Sequence, residues 1–203
     1  MTTLSIARRT LSPWVLGLVF AATAALGPAP AASPRAGVYD LGGRALDPVA
    51  PSPRAPTVLV FTRTDCPISN RYAPELRRLH DRFSARGATF WLVYTDPAET
   101  AAAIRRHGEA FGFGFDALRD TEHTLVALAG ATVTPEAAVF VAGAGGPQMV
   151  YRGRIDDRAT APGRTRAQPT HRDLADVLDA VTAGGAPAPR TTTAVGCFIP
   201  TLP

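Results

Sequence analysis

The stretch Thr57-Val-Leu-Val-Phe-Thr-Arg-Thr-Asp-Cys66-Pro67-Ile-Ser-Asn-Arg-Tyr-Ala-Pro-Glu-Leu76 decides how the whole chain is read. Thr57-Val-Leu-Val-Phe61 is a largely continuous apolar run, as expected of a strand buried on both faces. After Cys66-Pro67, the apolar residues Ile68, Tyr72, Leu76, Leu79 and Phe83 recur at steps of four, four, three and four, which puts them on one face of a helix. Pro67 suits the first helical position, so Cys66 is the expected N-cap. A sulfur there faces the free N–H groups of Ile68 and Ser69 and the positive end of the helix dipole. Both favour thiolate over thiol, so the pKa is expected below the free value of about 8.5. Asp65 opposes this if its carboxylate points at the sulfur. The expectation is a partly exposed nucleophile on a rigid mount; the alternative is a buried, inert cysteine.

Working outward, Phe90-Trp-Leu-Val-Tyr94 reads as a second buried strand. Asp96-Pro97-Ala98-Glu99 reads as a helix start, with Asp96 as N-cap, Pro97 at the first position and Glu99 completing a capping box. Phe115-Asp-Ala-Leu118 is a weak third strand, and a helix from about Glu122 ends at Gly130. Ala137-Ala-Val-Phe-Val141 and Gln148-Met-Val-Tyr151 form a hairpin across Gly145-Gly146-Pro147. A final helix starts near Thr170 and buries Leu174, Val177, Leu178 and Val181. Two buried strands separated by a helix pair in parallel through a crossover, and the hairpin extends the sheet. The expected architecture is an α/β three-layer sandwich, a mixed central sheet with helices on both faces, spanning residues 57–183. Residues 32–56 read as a linker with room for a short hairpin around Gly42-Gly43. Residues 184–203 read as a Pro/Thr-rich tail without helix or strand pattern.

Residues 1–31 read as a secretory signal peptide. Arg8 and Arg9 precede an apolar run from Trp14 to Leu26, and Ala29 and Ala31 supply the small residues of a cleavage site. Thirteen apolar residues fall short of the roughly 20 needed to span a bilayer, so stable membrane insertion is not expected after cleavage. An uncleaved anchor is the alternative. The expected compartment is periplasmic or extracellular, where disulfides persist. The 203 residues are 46% hydrophobic, 19% charged and 7% aromatic, ordinary for one globular domain. Two cysteines are too few for a disulfide scaffold or a four-cysteine zinc site. All 21 basic residues are arginines, and the formal charge of +4 falls to +2 without Arg8 and Arg9. That is not the footprint of a phosphate-backbone binder, and no nucleic-acid partner is expected.

The segment from Thr64 to Leu76 resembles the thioredoxin-like superfamily, and more closely its exported redoxin branch related to the alkyl-hydroperoxide-reductase and thiol-specific-antioxidant group. Val133-Thr-Pro-Glu136 and Tyr151-Arg-Gly-Arg-Ile-Asp-Asp157 add to the likeness, and Pro74 stands where relatives carry a helix-bending proline. The resemblance implies a thioredoxin-like fold and makes Cys66 the match of the attacking cysteine. Ser69 takes the place of the second cysteine of a Cys-x-x-Cys pair, so a local dithiol cannot form. Ser69 and Thr64 are candidates to stabilise the thiolate or bind substrate. Thr134-Pro135 matches the step where relatives hold a cis proline beside the active site, offering the Thr134 backbone to an extended substrate; a plain turn before a strand is the alternative. Peroxiredoxins carry a threonine three residues before the attacking cysteine. Here that position is Arg63, which counts against efficient peroxide reduction.

Cys197 completes the candidate pair. From Gly184 to Cys197 is thirteen steps, on the order of 40 Å if extended at about 3.1 Å each, enough to return to Cys66. Cys197 is read as a resolving cysteine or as the partner in a Cys66–Cys197 disulfide; a structural bridge, an intermolecular bridge and a free thiol are the alternatives. His80, His107, His123 and His171 form no obvious site. Asn70 stands where copper-binding relatives carry a second cysteine, and neither a metal nor another cofactor is expected. Arg63 and Arg71 could attract an anionic substrate, and residues 156–170 form either a flap over Cys66 or an ordinary loop. The expected function is exported thiol–disulfide oxidoreduction by Cys66, acting on a protein or peptide client. A thiol peroxidase acting on a small peroxide is one alternative, and a redox-inactive peptide-binding module another. The electron donor stays open.

Overall fold

The computed structural model describes residues 33–50 and 55–202, so the expected signal peptide lies outside the described residues. The strands are β1 (Val38–Asp40), β2 (Thr57–Thr62), β3 (Thr89–Tyr94), β4 (Ala117–Asp120), β5 (Val133–Thr134), β6 (Glu136–Gly143), β7 (Gly146–Gly153), β8 (Ala159–Ala161), β9 (Arg164–Thr165), β10 (Arg190–Thr191) and β11 (Cys197–Phe198). The helices are α1 (Pro67–Arg71), α2 (Ala73–Ser84), α3 (Ala101–Phe111), α4 (Thr124–Ala129) and α5 (Asp173–Thr182).

Seven strands make one sheet in the order β1-β4-β3-β2-β6-β7-β10. β2 pairs in parallel with β3, and β3 with β4, as βαβ crossovers require. β6 runs antiparallel to β2, and the β6–β7 hairpin carries the sheet outward. Every residue of β2 is buried, as its unbroken apolar run predicts. Its side chains alternate between two cores. Val58 and Val60 pack with Leu79 and Phe83 of α2, Ile104 of α3 and Leu174 and Leu178 of α5. Leu59 and Phe61 point the other way, against Leu125 and Ala129 of α4. Helices therefore cover both faces, and the three-layer α/β sandwich stands.

The apolar stripe from Ile68 to Phe83 is divided between two helices. α1 stops at Tyr72 and α2 restarts with Pro74 near its first turn. Proline has no N–H to give the preceding turn, and its ring crowds the carbonyl four residues back. The stripe still packs as one surface: Tyr72, Leu76, Leu79 and Phe83 share one core, with Ile68 packed against it.

Four boundaries differ from expectation. Residues 33–50 form the short hairpin expected around Gly42-Gly43, with Tyr39 bridged antiparallel to Ala45, but they are not a linker: β1 pairs antiparallel with β4, Val38 and Val49 are buried, and Asp40 closes the turn by accepting the Gly42 and Arg44 N–H groups. The capping box at Asp96 does not form. Asp96 accepts the Ala98 N–H in a tight turn, and Thr100 caps α3 by accepting from Ala103 N–H. α5 begins at Asp173 rather than near Thr170, because the Asp157 carboxylate takes the Thr170 and His171 N–H groups and holds them out of the helix. Finally, the tail is not free of regular structure. β10 joins the sheet parallel to β7, and β11 pairs antiparallel with β5.

Leu79 is fully buried between α2 and the sheet. Leu79→Ala should lower the stability of the domain by about 2–5 kcal/mol, the usual range for such a deletion, as read from the denaturant midpoint.

Candidate active site

β2 ends at Thr62, and the chain turns over Arg63–Asp65 before Pro67 opens α1. Cys66 is the N-cap, in an extended conformation, and its sulfur accepts the Ser69 N–H at 3.4 Å. The Ile68 N–H, the other free donor of this turn, acts on the Cys197 sulfur and lowers its pKa. Thus the two free N–H groups of the first turn are divided between two sulfurs. Cys197 arrives there because β11 lies on β5, with Cys197 opposite Thr134 and Phe198 opposite Val133. Ile199 extends the pairing by donating its N–H to the Thr132 carbonyl at 3.0 Å. The Thr134–Pro135 peptide is cis. The Cys66 sulfur lies 3.0 Å from the Thr134 carbonyl oxygen, to which its S–H donates in the thiol form. Both cysteines carry free thiols.

Cys66 is only 1% exposed, and Cys197 is partly exposed. The expectation of a partly exposed Cys66 is therefore corrected. The sulfur sits at the end of a strand as expected, but the returning tail lies over it. Burial pushes the Cys66 thiol up, yet hydrogen bonds from Cys197, from the Ser69 and Thr134 hydroxyls and from the Ser69 N–H outweigh it, leaving the pKa below the ordinary value. The two hydroxyls are buried and form no hydrogen bond to any other group, so both are free to turn toward a negative sulfur. Cys197 moves the other way, to about 11, raised by burial and by its hydrogen bond and charge interaction with Cys66. Of the two sulfurs, Cys66 is thus the one that ionises more readily and Cys197 the one that holds its proton.

The other expected site residues divide. Ser69 and Thr134 face the sulfur, and Pro135 provides the cis step. Thr64 touches neither sulfur: its N–H donates to Glu99 Oε1 at 2.6 Å and its carbonyl accepts from Asn70 Nδ2 at 3.1 Å, so it shapes the loop. Arg63 is engaged by Asp65 at 2.9 Å and Asp96 at 3.4 Å, which also draws the Asp65 carboxylate into a pair of its own. Residues 159–165 form the β8–β9 hairpin, packed beside α1 rather than over Cys66. The Tyr72 hydroxyl fixes it by donating to Asp156 Oδ1 at 2.7 Å and accepting the Ala159 N–H at 3.3 Å.

Two residues behind the loop were not anticipated. Glu99 is buried, with one carboxylate oxygen on Thr64 and the other without a partner. Burial raises its pKa above the usual carboxylate value, and the Thr64 hydrogen bonds only partly offset this. His107 is also buried, with its ring nitrogens 2.8 Å from the Tyr94 hydroxyl and 2.8 Å from Asn70 Oδ1. Burial lowers its pKa, keeping the ring neutral. The chain Tyr94–His107–Asn70–Thr64 thereby braces the loop from α3.

A mixed sheet covered on both sides, with a cysteine capping the helix after a central strand and a cis-proline step beside it, defines a thioredoxin-like protein. More narrowly, the AhpC/TSA family model matches residues 50–149, and over those residues the chain is similar to this family. An uncharacterized conserved protein from Geobacillus kaustophilus superposes with a TM-score of 0.65 at 22% identity, covering 86% of this chain and 92% of that one. A hypothetical protein, SMc02350, from Sinorhizobium meliloti 1021 gives 0.59 at 21% identity, covering 80% and 88%. A secreted Mycobacterium tuberculosis disulfide oxidoreductase homologous to E. coli DsbE gives 0.46 at 19% identity, covering 72% and 93%. No curated protein matches the sequence. Among the described residues, no helix is long and apolar enough to cross a membrane.

Two measurements check this electrostatic picture. Ser69→Ala removes one donor to the Cys66 sulfur, so the thiolate absorbance midpoint should rise by up to about one pH unit, the equivalent of one hydrogen bond. Glu99 holds its proton longer in the folded than in the unfolded state, so its contribution to stability falls as pH rises from the ordinary carboxylate value through the raised one. Glu99→Gln should remove that part of the decline in a series of denaturant midpoints against pH.

Proposed function

We propose that the chain is an exported thiol–disulfide oxidoreductase in which Cys66 is the nucleophile and Cys197 the resolving cysteine. The observation that carries this reading is the placement of Cys197 opposite Thr134, whose carbonyl lies 3.0 Å from the Cys66 sulfur at the amino end of α1, with the Cys66 pKa lowered and the Cys197 pKa raised. In the reducing direction, the Cys66 thiolate attacks a substrate disulfide R–S–S–R. One sulfur–sulfur bond breaks, Cys66–S–S–R forms and RS⁻ leaves. Cys197 then loses its proton and attacks the Cys66 sulfur, forming the Cys66–Cys197 disulfide and releasing the second RS⁻. Two electrons pass from the protein pair to the substrate, and the same steps run backwards when the pair accepts them. Ser69 cannot resolve the intermediate; it steadies the thiolate before attack and as it leaves.

The peroxidase alternative has less support. Arg63 stands three residues before Cys66 and its guanidinium is turned away into two carboxylates, so no threonine hydroxyl is offered from that position. The redox-inactive peptide-binding alternative also loses ground, because β11 already pairs with the backbone it would use. Export rests on the sequence of residues 1–31, and a compartment that tolerates disulfides suits the chemistry.

Peptide mapping of the oxidised, full-length protein should show Cys66 joined to Cys197. Cys66→Ser should abolish thiol–disulfide exchange altogether. Cys197→Ser should instead trap a mixed disulfide on Cys66 and stop turnover after one event. Two free thiols persisting in the presence of oxidised dithiothreitol would refute the resolving role.

A further inference from the structure

The strand edge at which an extended polypeptide could pair beside Cys66 is occupied by the chain itself. β11 covers β5 residue for residue, and Ile199 continues the pairing to Thr132. The approach is close enough that a Cβ on Gly196 would overlap the Thr134 carbonyl oxygen. A polypeptide pairing at this edge would have to strip off the strand together with the resolving sulfur, whereas a small thiol meeting the oxidised pair needs access only to the partly exposed Cys197.

A second opening lies on the other side of α1. Between α1 and the β8–β9 hairpin is a cavity of about 220 Å³, walled by Ile68 and Tyr72 on one side and Ala159 and Ala161 on the other, with Arg71 and Arg158 also lining it. The volume equals that of about seven liquid water molecules, enough for one small ring or short chain and too little for a peptide segment. The walls are apolar, so they favour a hydrocarbon body. Arg71 is exposed and forms no salt bridge among the described residues, while Arg158 is shared with Asp156 at 3.4 Å and lies 5.8 Å from the Tyr72 ring centroid. A guanidinium without a carboxylate partner is suited to a carboxylate from outside. Ile68 links this cavity to the chemistry: its side chain forms the wall and its N–H acts on the Cys197 sulfur.

We propose that this cavity binds a small carboxylate-bearing thiol with an apolar body, and that such a thiol is the electron-exchange partner of the Cys66–Cys197 pair. The proposal rests on the redox reading above. Two molecules of RSH reduce the protein disulfide: the first thiolate opens it to a mixed disulfide, the second displaces the protein sulfur, and the products are R–S–S–R and two protein thiols. The carboxylate pairs with Arg71, and the hydrocarbon body fills the space against Ile68 and Ala161.

The probe is 4-mercaptobenzoate, with 4-methylbenzenethiol as a neutral counterpart of similar shape. The Cys66→Ser/Cys197→Ser protein, which cannot exchange disulfides, should bind 4-mercaptobenzoate saturably in calorimetry. Arg71→Ala in that background should weaken binding by about tenfold, as expected for one charge-assisted hydrogen bond, and Ala161→Leu should abolish it by filling the cavity. With the oxidised, cysteine-intact protein, reduction by 4-mercaptobenzoate should saturate, and Arg71→Ala should cut its advantage over the neutral thiol by about tenfold. Absence of binding to the cysteine-free protein, or binding unchanged by Ala161→Leu, overturns the cavity assignment. Saturable binding without reduction of the intact protein overturns the role of such a thiol as electron-exchange partner, while the redox reading itself stands or falls separately on the Cys66–Cys197 peptide map. Reduction of an oxidised unfolded polypeptide at the rate of the small thiol, insensitive to Ala161→Leu, overturns the claim that the partner is small.

Discussion

The first turn of α1 presents N–H groups that no backbone carbonyl can reach, and the way they are satisfied governs the rest of the structure. One goes to the Cys66 sulfur and the other acts on the Cys197 sulfur. A helix N-terminus carries a partial positive charge of about half an elementary unit, which favours anionic sulfur. Two thiolates side by side would repel, so the two sulfurs cannot share that preference equally. Cys66 has the added help of the Ser69 and Thr134 hydroxyls, and Cys197 does not. The asymmetry of the pair therefore follows from which sulfur the surrounding donors face.

The position of Cys197 depends in turn on a very short strand. β11 has only two residues, and an isolated pairing of that length has no stability of its own. It is held by pairing to β5, by the Ile199–Thr132 hydrogen bond, by partial burial of Ile199 against the core beneath α4, and by β10, which brings the tail back along β7. Phe198, by contrast, is 81% exposed and contributes little to that hold. Such an arrangement suits a resolving cysteine. It must lie against its partner to form the disulfide, yet be separable enough for a substrate sulfur to reach Cys66. A cysteine on the adjoining turn of α1 would have been fixed more firmly; Ser69 occupies that place, and the tail supplies the second sulfur instead.

Much of this was legible in the sequence wherever one element's own residues decide the outcome. The apolar run of β2 has no polar position to turn toward water, so burial on both faces followed. Cys66-Pro67 identified the cap because proline belongs in the first turn and the residue before it does not. The failures share a different cause. Asp96 and Glu99 fit a capping box on local spacing, but the Glu99 carboxylate was claimed by the Thr64 N–H, thirty-five residues away, and Thr100 took the cap. Thr64 is drawn to the same carboxylate, so its hydrogen bonds run to Glu99 and Asn70. β1, β10 and β11 are two or three residues long and too short to show alternation. Their existence is decided by backbone hydrogen bonds to partners far along the chain, which no side-chain pattern records.

The burial of Cys66 is the most instructive of these differences, because burial alone would normally argue for an inert thiol. Desolvation disfavours the thiolate, and an apolar pocket would push the pKa up. Here the covering layer is not apolar. It consists of a second thiol, two hydroxyls with no competing partner and an amide N–H, all able to donate to a negative sulfur. Replacing water by donors already in place stabilises charge without the reorganisation that water requires. A sealed sulfur surrounded by donors and a sealed sulfur surrounded by methyl groups have the same exposure and opposite chemistry. What separates them is the identity of the covering atoms, and in this chain those atoms come from the first turn of α1, the tail and the cis-proline step.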